Sequence, residues 1–299
     1  MSGNPNTIVV LGPSPESYYV GHGRRHFVQN MSPSFTNHAK TGLNISMTLF
    51  TSMSKDGQTW VNHNIATDKF HFNADINQDI KDHLSGLNGK FASDFVSFPD
   101  SDNPGHYFVK GKDDGAWNAV LPNYFIEELS KMQREVENFD LGLTGILFGM
   151  GKTHICLFKG GFTADLDDEY ITSTDHPLYK VLLQYNDSGY CIERGSTLCL
   201  YDSRYFFLKF KKPGESTYNL SWNLPPAIAQ KLAELKETAQ KPEEQMALMQ
   251  EDQMWMQVAQ ARINSQMQNS KVLSDMMVRA GLSIYAAASG GTVVETTRW

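Results

Sequence analysis

The 299-residue chain carries 26 Lys and Arg against 33 Asp and Glu, a formal net charge of −7, so no chain-wide basic field favours nucleic acid or an anionic membrane as partner. Hydrophobic residues make up 40% and aromatics 11%, which suits a globular chain with a substantial core and excludes a disordered one. The three cysteines, Cys156, Cys191 and Cys199, are too few and odd in number for a disulfide framework.

No charged leader precedes an apolar stretch in MSGNPNTIVVLGPSPES, and no apolar run approaches the length of a membrane span. The expectation is a soluble, cytoplasmic protein, in which the N-x-Ser matches at Asn30, Asn44 and Asn219 are chance. The one short basic cluster, Gly23-Arg24-Arg25-His26, reads as a solvated turn.

Taken in order, the chain repeats one sequence of features. Ile8–Gly12 reads as a strand, followed by strands at Tyr18-Tyr19-Val20 and Phe27-Val28, then Pro33. A second copy has strands at Met47–Phe50 and Thr59-Trp60-Val61, a turn at Asp68, alternating Phe70 and Phe72, and a helix over Ile76–Leu84 capped by Asn73 or Asp75. The third copy is the plainest. After Phe95–Phe98 comes His106–Leu129: strand (Tyr107, Phe108, Val109), turn (Asp113-Asp114-Gly115), Trp117, Leu121-Pro122, and an amphipathic run through Tyr124, Ile126 and Leu129.

The fourth copy runs through Ile146–Gly149, His154–Phe158, a Gly160-Gly161 turn and Phe162. An acidic insertion, Asp165–Glu169, precedes its helix over Pro177–Gln184. The fifth has Thr197–Tyr201, Tyr205–Phe210, a Pro213-Gly214 turn, Trp222, Leu224-Pro225-Pro226 and a helix from Ala227. Aligning the second strands on Tyr19, Trp60, Phe108, Cys156 and Phe207 gives spacings of 41, 48, 48 and 51 residues. Trp117 and Trp222 then become equivalent aromatics, expected to be buried between neighbouring units.

A three-stranded unit cannot cover both of its faces alone, so its neighbours must. The order of features resembles β-propeller repeat proteins, and three strands plus a helix per unit resembles the pentein α/β-propeller. The likeness covers Ile8 to Lys236, and the WD dipeptide of WD40 blades is absent. It implies mixed β structure with short helices: about five repeats of three strands plus a helix, closed into a propeller-like ring over residues 1–236.

Residues 237–299 are expected to form a Met/Gln-rich helix with a linker-like end. From Pro242 to Gly281 no further proline or glycine intervenes, and Met249, Met256, Ile263 and Met267 share one helical stripe with Trp255 beside it. That stripe has two readings, core-facing packing or a homodimer or partner surface, and its length, beyond what one compact domain readily covers, favours the second.

Little of the sequence resembles catalytic machinery. In Gly145–Thr153 five residues, where the Walker A pattern has four, separate the first glycine from Gly-Lys-Thr. The following His154–Phe158 reads as a strand and not as the helix that phosphate binding needs. The nine histidines are scattered without HExxH or CxxC spacing, so neither a metal nor a cofactor is expected. The pentein likeness implies a late cysteine activated by a histidine, which singles out Cys199 with His63 and His154. Against this, Cys199 lies in an apolar run that suits a structural thiol. The favoured function is a non-catalytic scaffold or binding module that self-associates. The alternative is a small-molecule-modifying enzyme with its site at the ring axis, which requires a deep axial pocket lined by convergent polar groups.

Overall fold

The computed structural model describes residues 6–264 except 114, 187, 216, 252, 256, 259, 262 and 263. Within it the strand–turn–strand–turn–strand–helix order is realised five times. The first sheet comprises β1 (Thr7–Leu11), β2 (Tyr18–His22) and β3 (Arg25–Gln29), followed by α1 (Pro33–Thr41). The second comprises β4 (Thr48–Met53), β5 (Trp60–Asn64) and β6 (Lys69–Phe72), followed by α2 (Gln78–Ser85). The third comprises β7 (Ser93–Ser97), β8 (Tyr107–Gly111) and β9 (Trp117–Val120), followed by α3 (Asn123–Glu135) and the short α4 (Phe139–Gly142). The fourth comprises β10 (Leu143–Phe148), β11 (His154–Phe158) and β12 (Gly161–Asp165), followed by α5 (Pro177–Tyr185).

The fifth sheet departs from the pattern. β13 (Cys191–Ile192) and β14 (Thr197–Leu198) share one edge of β15 (Phe206–Lys211), while β16 (Asn219–Asn223) pairs with the other; α6 (Pro226–Ala239) follows. All pairings are antiparallel, as short hairpin connections require. Proline starts the helices: Pro33, Pro177 and Pro226 occupy their first turns, where a missing N–H costs no hydrogen bond. The cap of α2 is Asn77, whose side chain accepts from the Asp79 amide, and not the expected Asn73 or Asp75. Asn73 instead accepts from the Trp60 amide at 3.0 Å.

Middle strands β2, β5 and β8 are buried along their whole length, whereas the third strands are exposed on at least one side. The burial comes from neighbouring units. β1 adjoins β4, β4 adjoins β7, β7 adjoins β10, β10 adjoins β14, and β14 adjoins β1. Side chains join these first strands: Ser52 Oγ donates to the Val96 carbonyl (2.5 Å) and Ser97 Oγ to the Ile146 carbonyl (2.6 Å). Asn6 Nδ2 reaches the carbonyls of Ile45 (2.7 Å) and Thr48 (3.1 Å). The largest apolar cluster runs from Phe50 through Phe95 and Ile146 to Phe210, while Phe207 with Val9, Val20 and Ile228 packs the fifth sheet on the first.

Two expectations need correction. The strand pairings set Tyr19, Val61, Phe108, Ile155 and Phe207 opposite Val10, Ser52, Ser97, Leu147 and Thr197, the first-strand residues that face one another across the five sheets. Tyr19, Val61, Phe108, Ile155 and Phe207 are therefore equivalent, and the alignment on Trp60 and Cys156 is one residue out of step. A strand buried on both faces is apolar at every position, so it offers no alternation by which to detect such a slip.

Trp117 and Trp222 are not equivalent either: Trp117 opens β9, whereas Trp222 pairs with Phe207 and corresponds to Ala119. Trp117 is half-buried, stacking on Phe108 and donating Nε1–H to Asp140 (2.7 Å). Trp222 is 40% exposed, with the Lys236 ammonium 3.9 Å from its ring centre.

The chain divides into two compact units, Met1–Gln250 and Glu251–Trp299, and the composition change near Lys236 falls inside α6. In the first unit helix resumes over residues 242–250, and Arg25 Nε donates to Glu244 there at 2.8 Å. In the second the described residues, Trp255 among them, are helical, and Gln260 Nε2 donates to Asn264 (3.1 Å). Met256, Ile263 and Met267 lie outside the described residues. No helix among the described residues is long and apolar enough to cross a membrane.

Candidate functional site

Where the five first strands come together, the space between them is small. Val10, Ser52, Ser97, Leu147 and Thr197, one from each sheet, line a cavity of about 40 Å³, room for roughly three or four waters at about 10–15 Å³ each. The Ser52 and Ser97 hydroxyls in its wall are already used by carbonyls of the next sheet.

Of the three residues singled out as candidate catalysts, His63 lies in the second sheet, His154 in the fourth and Cys199 just after a strand of the fifth. Among the described residues no hydrogen bond, ion pair or ring contact joins any two of them. Cys199 is buried just beyond β14, donates its amide to the Tyr205 carbonyl (3.0 Å), and its Sγ accepts from the Tyr201 amide (3.5 Å). Burial pushes its thiol up to about 11, so at neutral pH it is not the thiolate that nucleophilic chemistry requires. His63 stacks on Phe70 and places Nε2 3.2 Å from Asp68; burial holds its pKa below the ordinary histidine value despite that carboxylate. His154 donates from Nδ1 to the Lys152 carbonyl (3.0 Å) and meets the edge of Phe125. The other ring nitrogens, His63 Nδ1 and His154 Nε2, are buried without a hydrogen-bond partner among the described residues.

The Gly149–Thr153 loop is a hairpin turn with Gly151 at φ +65°. Its amides face carboxylates: Gly151 donates to Asp100 and Lys152 to Asp167, each at 2.7 Å. A phosphate cradle needs those amides unoccupied, so the arrangement opposes nucleotide binding. Among the described residues, no group of three or more His, Cys, Asp or Glu side chains could hold a metal.

Two larger clefts lie at opposite ends of the sheets. At the end formed by loops between first and second strands, Pro13, Lys55, Phe98, Asp102, His106 and Tyr201 line about 300 Å³. Its charges close on one another: Lys55 Nζ lies 2.9 Å from Asp100 and 3.0 Å from Asp102, and Asp100 foremost holds its pKa above the ordinary lysine value. At the other end, between the fourth and fifth sheets, a cleft of about 250 Å³ is lined by Lys159, Cys191, Glu193, Arg194, Lys211 and Lys212, over apolar Leu49, Phe158 and Ile192.

Near that end Lys209 is buried in the fifth sheet, where its Nζ donates to Asn6 Oδ1 at 2.9 Å; burial pushes the ammonium down to about 8. Gly195 makes room for it: a Cβ there would lie 2.9 Å from Lys209 Nζ and 2.8 Å from the Leu49 carbonyl. Neither cleft was legible in the sequence, because each gathers residues from segments far apart in the chain. The Lys211-Lys212 pair was the one local signal.

No protein-family model, curated protein or solved structure matches this chain.

Proposed function

We propose that the chain is a non-catalytic scaffold or binding module, with its five sheets closed into a propeller-like ring, that self-associates as a homodimer through its C-terminal helical segment. The observation that carries this reading is the narrow centre. A cavity of about 40 Å³ at the centre, with engaged hydroxyls, is far below the roughly 300–1,000 Å³ of pockets that enclose drug-sized ligands. The order in which the first strands adjoin, from β1 through β4, β7, β10 and β14 back to β1, supports closure. Cys156, Cys191 and Cys199 are free thiols, which supports a reducing, cytoplasmic setting.

Self-association draws support from apolar side chains left in water. Met246 is 62% and Met249 52% exposed in the first unit, and Met254 and Val258 are exposed in the second. Covering such surface is favourable by about 25 cal/mol per Å². The proposed interface comprises Met249, Trp255, Met256, Ile263 and Met267. Light scattering of the full chain against a chain ending at Lys241 tests it. A dimer that becomes a monomer on truncation is expected; a monomeric full chain overturns the self-association.

A further inference from the structure

The seam between the first and second units is built around two stacked imidazoles. His38, in the last turn of α1, stacks on His71 of β6 and on Trp60 of β5, each with ring centres 4.9 Å apart. Its Nε2 lies 3.2 Å from Asn62 Oδ1. Asn62 Nδ2 is taken up by Thr51 Oγ1 at 3.0 Å and the Phe50 carbonyl at 3.3 Å, so the amide oxygen faces His38 and Nε2 carries the ring proton. Trp60 Nε1 donates to Ser34 Oγ at 2.9 Å. Together these contacts dock α1 of the first unit on the sheet of the second.

The elements that meet here carry only basic titratable groups. None of α1, β3, β5 or β6 contains an aspartate or glutamate; besides the stacked pair they hold Lys40, Arg25, His26, His63 and Lys69. Arg25 is engaged by Glu244, and Asp68, next to β6 in the chain, is engaged by His63 and Lys112. Burial holds both rings below the ordinary histidine value; the bond to Asn62 opposes this at His38, and Lys69 adds to it at His71. One proton is tolerated, because the carbonyl end of α1 and the Trp60 face both favour a cation. A second proton sets two like charges on rings 4.9 Å apart, which is unfavourable at that separation.

We propose that the His38–His71 pair is a pH-sensitive latch: protonation of both rings drives them apart, releases α1 from the second sheet and opens the seam between the first two units. Protonated His38 also gains an N–H on Nδ1, which is packed against Gly42, where an added Cβ would lie only 3.0 Å away. Both rings take up protons less readily in the folded chain than in the unfolded one. The stability they contribute is therefore complete above about pH 6.5 and is lost as the pH falls through their lower folded values. The latch goes beyond the scaffold reading and does not require a second copy of the chain.

Amide hydrogen exchange of the full chain, read by mass spectrometry at about pH 7.5 and about pH 5 and corrected for the intrinsic rate, tests the proposal. Protection of the α1 amides should fall at least about tenfold at the lower pH, while α3, which contains no histidine, serves as the internal reference and keeps its protection. His71→Phe retains a ring against His38 and removes the second charge, so its α1 should lose much less protection. His38→Gln keeps an amide donor for Asn62 and should behave likewise.

Ring-proton magnetic resonance of the unaltered chain gives a measurement that no variant's folding can spoil: the two rings should titrate in two separated steps, since the first proton hinders the second. Unchanged α1 protection between the two pH values, an equal loss in the parent and His71→Phe, or two independent titrations near about pH 6.5 overturns the inference. Light scattering on the same samples separates the two readings: a monomer whose α1 opens in acid removes the dimer and leaves the latch standing.

Discussion

Lys209→Met is the most direct probe of how the fifth sheet meets the residues before β1. Methionine keeps the unbranched stem and removes the charge and the bond to Asn6 Oδ1. In the folded chain burial lowers the ammonium from 10.5 to about 8, whereas in the unfolded chain it titrates near its ordinary value. Between those pH values the unfolded state binds the extra proton, so this residue makes stability rise with pH across that window. Below about pH 8 the charge is present in both states and its burial penalty is felt in full; above about 10.5 it is absent from both. A shift of this size corresponds to on the order of 3 kcal/mol. Urea unfolding of parent and variant through the window is the assay. The stability of the variant relative to the parent should fall by about 3 kcal/mol from the low to the high end, with all other titrating groups common to both proteins. Parallel pH profiles would refute the reasoning, since they would mean the folded chain leaves the ammonium hydrated.

Three other measurements bear on the fold. Ser97→Ala removes the buried hydroxyl that reaches the Ile146 carbonyl of the next sheet, and denaturant unfolding should show a loss of about 1 kcal/mol. Trp117→Ala gives up the Phe108 stack and the bond to Asp140 and should cost about 2–3 kcal/mol, while Trp222→Ala should cost about 1 kcal/mol because its side chain is already 40% exposed and loses mainly the Lys236 contact; equal costs would contradict the environments described. Titration of native thiols with a chromogenic disulfide should register Cys191 first and leave the buried Cys156 and Cys199 silent until unfolding. Simultaneous reaction of all three would show that the fourth and fifth sheets both open readily, since Cys156 lies in β11.

The order of local elements could be read from residues alone, because turns and helix starts are local chemistry. Glycine at positive φ, as at Gly115 and Gly151, and proline in the first turn of α1, α5 and α6 act on their immediate neighbours. So the strand, turn and helix order, repeated five times, was legible in the sequence, with a proline at the helix start in every copy but the second. The register of the second strands was not, because burial on both faces erases the alternation that would mark a one-residue slip at Trp60 or Cys156. Nor was β13, two residues long and defined only by its partners in β15.

The clefts belong wholly to the tertiary structure. Arg194 meets an aspartate 100 positions earlier in the chain, and Lys209 donates to Asn6 203 positions earlier. In sequence each is an ordinary basic residue of the kind found on surfaces. Burial and neighbours decide whether such a charge is solvated, paired or held against an apolar wall, and those are set only when distant strands pack together.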